Sequence, residues 1–396
     1  MTSMHPKINT AQARIDTGTT SRTMGTYLPT LDGWRTIAIA LVLFAHASDS
    51  IQAAIHSGLL GNTDALKKAG LLGVQLFFGL SGFLITSKLI DEESRHGKIS
   101  LKSFYIRRAF RILPASMMFL VVAGILAWNG VIGISLGRWL SALLFSANYT
   151  HADPSWYLGH FWSLAVEEHF YFIWPAAFLL LRIPRRRIAI AIFVALLIAT
   201  WRALDFKFRL TGSSPEVFWG RTDIQADGIL WGVVVALLYG DQVWKARLHR
   251  FYSTWLTWPM LIVALLAIET IPSLNWKLDF LLISLKATLI PLILLGTVLQ
   301  PTAVPGHILE TAAFRWLGRL SYSLYLWQQL FLVWDEHRTP ALAWLQVFPY
   351  NLLAVFTCAT LSMLLIENPL IAAGHRIASK IPRRSITGAA PNTTRA

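Results

Sequence analysis

In the stretch LDGWRTIAIALVLFAH, Leu31 to His46, an arginine and a histidine stand eleven residues apart, Arg35 and His46. On a helix turning about 100° per residue, both project from one stripe, roughly 16 Å apart along the axis. An imidazole in an apolar helix is a candidate general base or transient acyl carrier, and the spacing does not choose between them. It equally fits a histidine bonded to a neighbouring helix and an arginine reaching surface phosphates. A second pair, Arg108 and Arg111 in FYIRRAFRILP, stands at i and i+3. Two guanidinium forks on one face suit a phosphorylated ligand, although basic residues at a helix end also anchor topology.

In HFWSLAVEEHFYFIWP, His160 to Pro175, Ser163, Glu167 and Tyr171 repeat at four-residue intervals and make a polar stripe. A carboxylate in such a helix is costly. Glu167 could orient His46, take a hydroxyl of a substrate, or pair with Arg35 or Arg221. Asp223 and Asp227 in RTDIQADGILWG stand one turn apart and could bind hydroxyls or cap a helix. Asp32, Ser163, Trp162 and Tyr322 complete the candidate substrate-binding set. No metal-ligand cluster is readable, and the single cysteine, Cys358, excludes a disulfide framework and a thiolate metal site.

The elements that must hold these residues are membrane helices. Of 396 residues, 55% are hydrophobic and 14% charged, and mean hydropathy is +0.50. A soluble domain carries about a quarter charged residues. Apolar runs of membrane-crossing length predict an all-α polytopic integral membrane protein of about ten spans, near 31–53, 70–90, 112–133, 160–181, 188–204, 224–240, 255–271, 279–299, 316–334 and 346–367. The basic segments 91–111, 182–187, 241–250 and 371–384 then share one side, which predicts cytoplasmic N and C termini. The net charge of +14 is thereby assigned to topology and anionic lipid rather than to nucleic acid. Residues 1–27 read as a disordered tail, 28–370 as one membrane domain and 371–396 as a basic cytoplasmic tail.

The motifs, taken in order, resemble the acyltransferase-3 family of membrane-bound O-acyltransferases. LDGWRTIA with Arg35 and His46 is similar to its arginine, ten residues, histidine signature; GVQLFFGLSGFLI, RAFR at 108–111, FWSLAVEEHFY and LGRLSYSLYLW are similar to further blocks. The chain departs from the pattern at Trp34, Gln225 and Gln328. The resemblance implies acyl transfer, in the usual case acetyl, from cytoplasmic acetyl-CoA as co-substrate to a hydroxyl of a carbohydrate or glycoconjugate, in the inner membrane of a bacterium and without a metal. It implies catalytic roles for His46, Glu167 and Arg35, and donor binding by Arg35, Arg108 and Arg111. A transporter of a sugar, polyol or acylated metabolite is the competing reading.

Overall fold

The computed structural model describes residues 27–55, 63–150, 155–271, 275–301 and 303–381. These residues form an all-helical chain with no strand among them. In order the helices are α1 Pro29–Ile55, α2 Thr63–His96, α3 Leu101–Trp128, α4 Leu136–Leu143, α5 Phe161–Leu180 and α6 Pro184–Phe208. There follow α7 Pro215–Gly220, α8 Thr222–Gln225, α9 Asp227–Gly240, α10 Gln242–Phe251, α11 Thr257–Thr270 and α12 Trp276–Leu299. The last are α13 Val304–Leu309, α14 Ala312–Phe331, α15 Tyr350–Ser362 and α16 Asn368–Ser379. A π-helical turn, Met363–Glu367, joins α15 to α16.

Six helical stretches are long and apolar enough to cross a membrane: Pro29–Ala53, Lys68–His96, Leu101–Trp128, Pro184–Phe208, Trp276–Leu299 and Tyr350–Ser379. Two shorter apolar helices are α9 and α11. The remaining two expected spans fall on α5 and α14, whose apolar character is diluted by Glu167, Glu168 and His169 in one and by Arg315, Arg319, Gln328 and Gln329 in the other. Phe172, Leu180 and Phe193 are exposed on the outer faces of α5 and α6, as a hydrocarbon solvent permits.

Local chemistry sets the helix ends. Ser100 begins α3 by accepting the Ser103 N–H, and Asn275 begins α12 by accepting the Leu278 N–H. Pro184 supplies the first turn of α6. Helix contacts are made close by small residues. A Cβ at Gly82 would strike the Ile229 carbonyl, and one at Gly232 the Gly79 backbone, so α2 and α9 approach backbone to backbone. Gly318 gives α14 the same intimacy with Asp32 of α1. Helix α1 thus lies between α2 and α14, and its polar stripe is enclosed by them.

The segment expected to be a basic tail from 371 begins inside α16. That helix packs on α3, with Gly374 against Phe110 and the Ser103 hydroxyl donating to the Ala378 carbonyl at 3.3 Å. Residues 382–396, like the expected tail residues 1–26, lie outside the described residues.

Candidate active site

Helices α1, α2, α3, α5 and α14 enclose a chamber of about 100 Å³. Its polar lining is Arg35, Ser81, Lys88, Arg108, Arg111, Ser163, Glu167, Glu168, Tyr171, Ser321, Tyr322 and Tyr325. A wider basin of about 380 Å³ adjoins it, between the end of α2, the start of α3 and Ile371 and His375 of α16. Ile85, Lys88, Arg108 and Arg111 line both spaces and form the neck between them.

The sequence places Arg108 and Arg111 together, and the structure adds Lys88 beside them. None of the three has an ion-pair partner among the described residues. The Arg108 guanidinium lies 3.4 Å from the centroid of the Tyr171 ring, a cation–π contact that holds it without neutralising it. Arg35 is tied to Asp32 at 3.0 Å, and Asp32 also accepts the Tyr27 hydroxyl at 2.6 Å. Asp32 therefore positions Arg35 and does not line the chamber. The chamber wall holds four cations and two carboxylates, Glu167 and Glu168, a balance that attracts anions and repels metal ions.

Glu167 pairs with neither Arg35 nor Arg221. It accepts the Tyr171 hydroxyl at 2.6 Å, and Ser81 Oγ lies 2.6 Å from the same phenol oxygen. A phenol has one proton, so Tyr171 donates to the carboxylate and receives from Ser81. Tyr171 thus sits between a carboxylate, a hydroxyl and the Arg108 guanidinium.

The end of the chamber toward His46 is closed by a side-chain contact. Tyr325 and Ser163 meet at 2.5 Å, and the Ser163 hydroxyl also reaches the His160 carbonyl at 3.0 Å. A carbonyl only accepts, so Ser163 donates to it and Tyr325 donates to Ser163. The Tyr322 hydroxyl donates to the Ile112 carbonyl at 2.9 Å. Both hydroxyls expected to serve a substrate are therefore engaged with backbone.

His46 stands beyond this closure and does not line the chamber. Its Nδ1 is 2.9 Å from the Val42 carbonyl. Since that oxygen cannot donate, Nδ1 carries the proton and Nε2 holds the free lone pair. The ring stacks on Trp334 at 6.4 Å and meets the edge of Trp156 at 5.5 Å. Trp156 and Trp334 touch one another at 4.5 Å, and His337 stacks on Trp156 at 4.9 Å. Trp162 instead packs edge-on against Phe78 at 6.1 Å.

His160 lies against Phe119 at 5.2 Å and Tyr325 at 5.7 Å, within electrostatic range of His46. Sequence reasoning passed over His160, Tyr325 and Lys88. Tyr325 follows Ser321 by one turn in LSYSLYLW, a readable signal; Lys88, inside the span expected at 70–90, was another.

Asp223 and Asp227 do not join the chamber. Asp227 is buried against Arg202 in a two-pronged pair at 3.0 and 2.9 Å. Asp223 takes hydrogen bonds from Arg221, Trp201 and Tyr149. At the positions departing from the motif pattern, Trp34 Nε1 donates to Thr297 at 2.9 Å, Gln225 Nε2 to the Trp219 carbonyl at 2.9 Å and Gln328 Nε2 to Gln329 at 3.1 Å.

A buried anion-attracting chamber beside an arginine and histidine helix is the kind of site that an acyltransferase needs. The family model described as an acyltransferase domain matches residues 28–367, and the chain belongs to that family, acyltransferase-3. Among its relatives, a Staphylococcus aureus protein provisionally named an O-acetyltransferase is 31% identical over 326 residues, 76% of this chain and 50% of the relative. The Listeria monocytogenes peptidoglycan O-acetyltransferase OatA is 27% identical over 374 residues, 89% of this chain and 57% of its own length. A Bacillus subtilis protein, provisionally named a peptidoglycan O-acetyltransferase, is 27% identical over 385 residues, 89% of this chain and 56% of the relative. The chain thus spans about half the length of the relatives it matches. No solved structure matches it.

Proposed function

We propose that this chain is a membrane-bound O-acyltransferase that moves an acetyl group from cytoplasmic acyl-CoA to a hydroxyl of a carbohydrate or glycoconjugate. The observation that carries the reading is the neck: Lys88, Arg108 and Arg111 line both the basin and the chamber and have no ion-pair partner among the described residues. Cations lining a pocket without an ion-pair partner among the described residues suit a polyanion, and a nucleotide thioester with a thin pantetheine arm offers phosphates at the wide end and a reactive carbonyl at the narrow one. The names of two relatives favour a cell-wall glycan as acceptor.

In this reading ten helices span the bacterial inner membrane, both termini are cytoplasmic, residues 28–370 form the catalytic unit, and 1–27 and 371–396 flank it. Arg35 borders the chamber and joins Arg108 and Arg111 in donor binding. Rotation of Tyr325 away from Ser163 opens the outer end of the chamber toward His46. His46 Nε2 takes the proton of the acceptor hydroxyl as that oxygen attacks the thioester carbon, assistance worth about 10²–10⁴-fold. Glu167 fixes Tyr171, and through it the Arg108 guanidinium. Trp156 and Trp334 offer ring faces to a sugar. The membership in an acyltransferase family does not favour transport without chemistry.

The test is to supply the purified protein with labelled acetyl-CoA and the glycan fraction of its host, and to compare glycan masses from cells with and without the chain. Label in the glycan and a matching acetyl mass difference support the reading. Donor left intact, with unchanged glycan masses, removes it.

A further inference from the structure

Both ring nitrogens of His160, Nδ1 and Nε2, are buried, and neither makes a hydrogen bond of good geometry among the described residues; the Gln329 carboxamide is a close polar neighbour. The residue is 4% exposed. Buried imidazole nitrogens are satisfied in nearly all folded proteins, and leaving one unpaired is destabilising. Such a pair of vacancies has a use where a ligand atom arrives to fill one of them.

Its place in the fold says which atom. His160 is wedged between Tyr325, whose hydroxyl closes the chamber, and the rings of Phe119 and Phe161 at 5.2 and 4.9 Å. On the other side, Trp156 stands one turn earlier in the chain and touches His46. His160 therefore occupies the passage between the chamber and the base. Among the described residues no carboxylate is bonded to it, aromatic rings pack around it and the Arg138 cation is near, so it stays a neutral ring with one N–H to give. The hydroxyls of Ser163 and Tyr322, otherwise suited to the same duty, already donate to carbonyls.

We propose that His160 is a second catalytic histidine, whose N–H donates to the oxyanion of the tetrahedral intermediate while His46 acts as base. This rests on the acyl-transfer reading above. The acceptor oxygen forms its bond to the thioester carbon as its proton passes to His46 Nε2. The carbonyl electron pair moves to the oxygen that His160 holds. When the carbonyl re-forms, the C–S bond breaks and the thiolate leaves, taking the proton back from His46. Products are the ester and the free thiol, with no other reactant required.

The experiment compares His160→Phe, His160→Gln, His46→Ala and the unaltered chain for transfer of labelled acetyl from acetyl-CoA, with donor KM and heat stability measured on each. Phe fills the aromatic niche without a donor; Gln restores an N–H. His160→Phe should lower kcat by about 10²–10³-fold, the usual cost of one oxyanion donor, with donor KM and unfolding temperature unchanged. His160→Gln should regain about tenfold of that loss. Turnover of His160→Phe equal to the unaltered chain overturns the proposal, as does a loss matched by lowered heat stability and absent rescue by Gln. If the unaltered chain itself transfers no label, the acyl-transfer reading fails and His160 falls with it.

Discussion

Two groups of arginines, one buried and one lining a pocket, contrast within the molecule. In the region of α6, α8 and α9, Arg202 is held by both oxygens of Asp227 and by Ser284, and Arg221 by Asp205, Asp223 and Thr211. At the neck, Arg108, Arg111 and Lys88 make no ion pair among the described residues, although Glu167 and Glu168 line the same chamber. The first group has its carboxylates in place and ties four helices, α6, α8, α9 and α12, together. The second has no such partners among the described residues, and in the proposed reading an anion completes it. The difference separates arginines kept for architecture from arginines kept for a ligand, a distinction that residue type and membrane depth alone do not make.

The comparison can be broken from either side. The largest effect is expected at Asp227→Ala, which leaves Arg202 buried and unpaired; loss of one partner of a buried pair costs about 3–5 kcal/mol. Thermal unfolding in detergent should show a large drop, while any protein that remains folded keeps its donor KM. A small drop would mean that Arg202 finds water or another partner. Next comes Arg108→Ala. A charge-assisted hydrogen bond contributes about 1.5–3 kcal/mol, so the donor KM should rise roughly 10- to 100-fold with unfolding temperature unchanged. Equal destabilisation by Arg108→Ala and Asp227→Ala would erase the distinction between the two groups.

Smaller effects sharpen it. Tyr325→Phe removes one buried hydrogen bond at the closure, of the order of 0.5–1.5 kcal/mol. Hydrolysis of acyl-CoA without acceptor should rise by a few-fold as the barrier loosens, measured as free thiol; an unchanged rate would deny Tyr325 a gating role. The least effect belongs to Asp223, outside the membrane-spanning helices. Burial works against its charge, but hydrogen bonds from Arg221, Trp201 and Tyr149 outweigh it and hold its carboxyl below the ordinary range. The stability from these contacts is full above the unfolded value of about 3.9 and is lost as pH falls through the lowered native value. Asp223→Asn should therefore lower the unfolding temperature modestly at neutral pH and flatten the acid limb, the variant and the unaltered chain converging at low pH.

Much of the candidate site is legible from helical spacing alone. Arg108 and Arg111 meet at the neck, and Ser163, Glu167 and Tyr171 line one wall, because each set lies on a single regular helix where angle follows from residue number. Residues whose meaning depends on another element were not legible. Asp227 reads as a hydroxyl binder until Arg202, twenty-five positions earlier, is seen to fill it. Lys88 stands at the start of the charged end of α2, SKLIDEESRH, and its neighbours there hide that, of that stretch, it alone lines the neck. The fold shows the same division. The expected spans coincide with helices, while the closure by Tyr325 and Ser163, which sets His46 apart from the chamber, arises from two helices meeting and has no signature in either.

The most direct measurement is transfer of labelled acetyl from acetyl-CoA by His46→Ala beside the unaltered chain, with donor binding followed as thermal stabilisation in the same samples. The account predicts a variant that is stabilised by the donor as the unaltered chain is, because the neck is intact, and that passes no label to the glycan. Label transferred at the unaltered rate would contradict it.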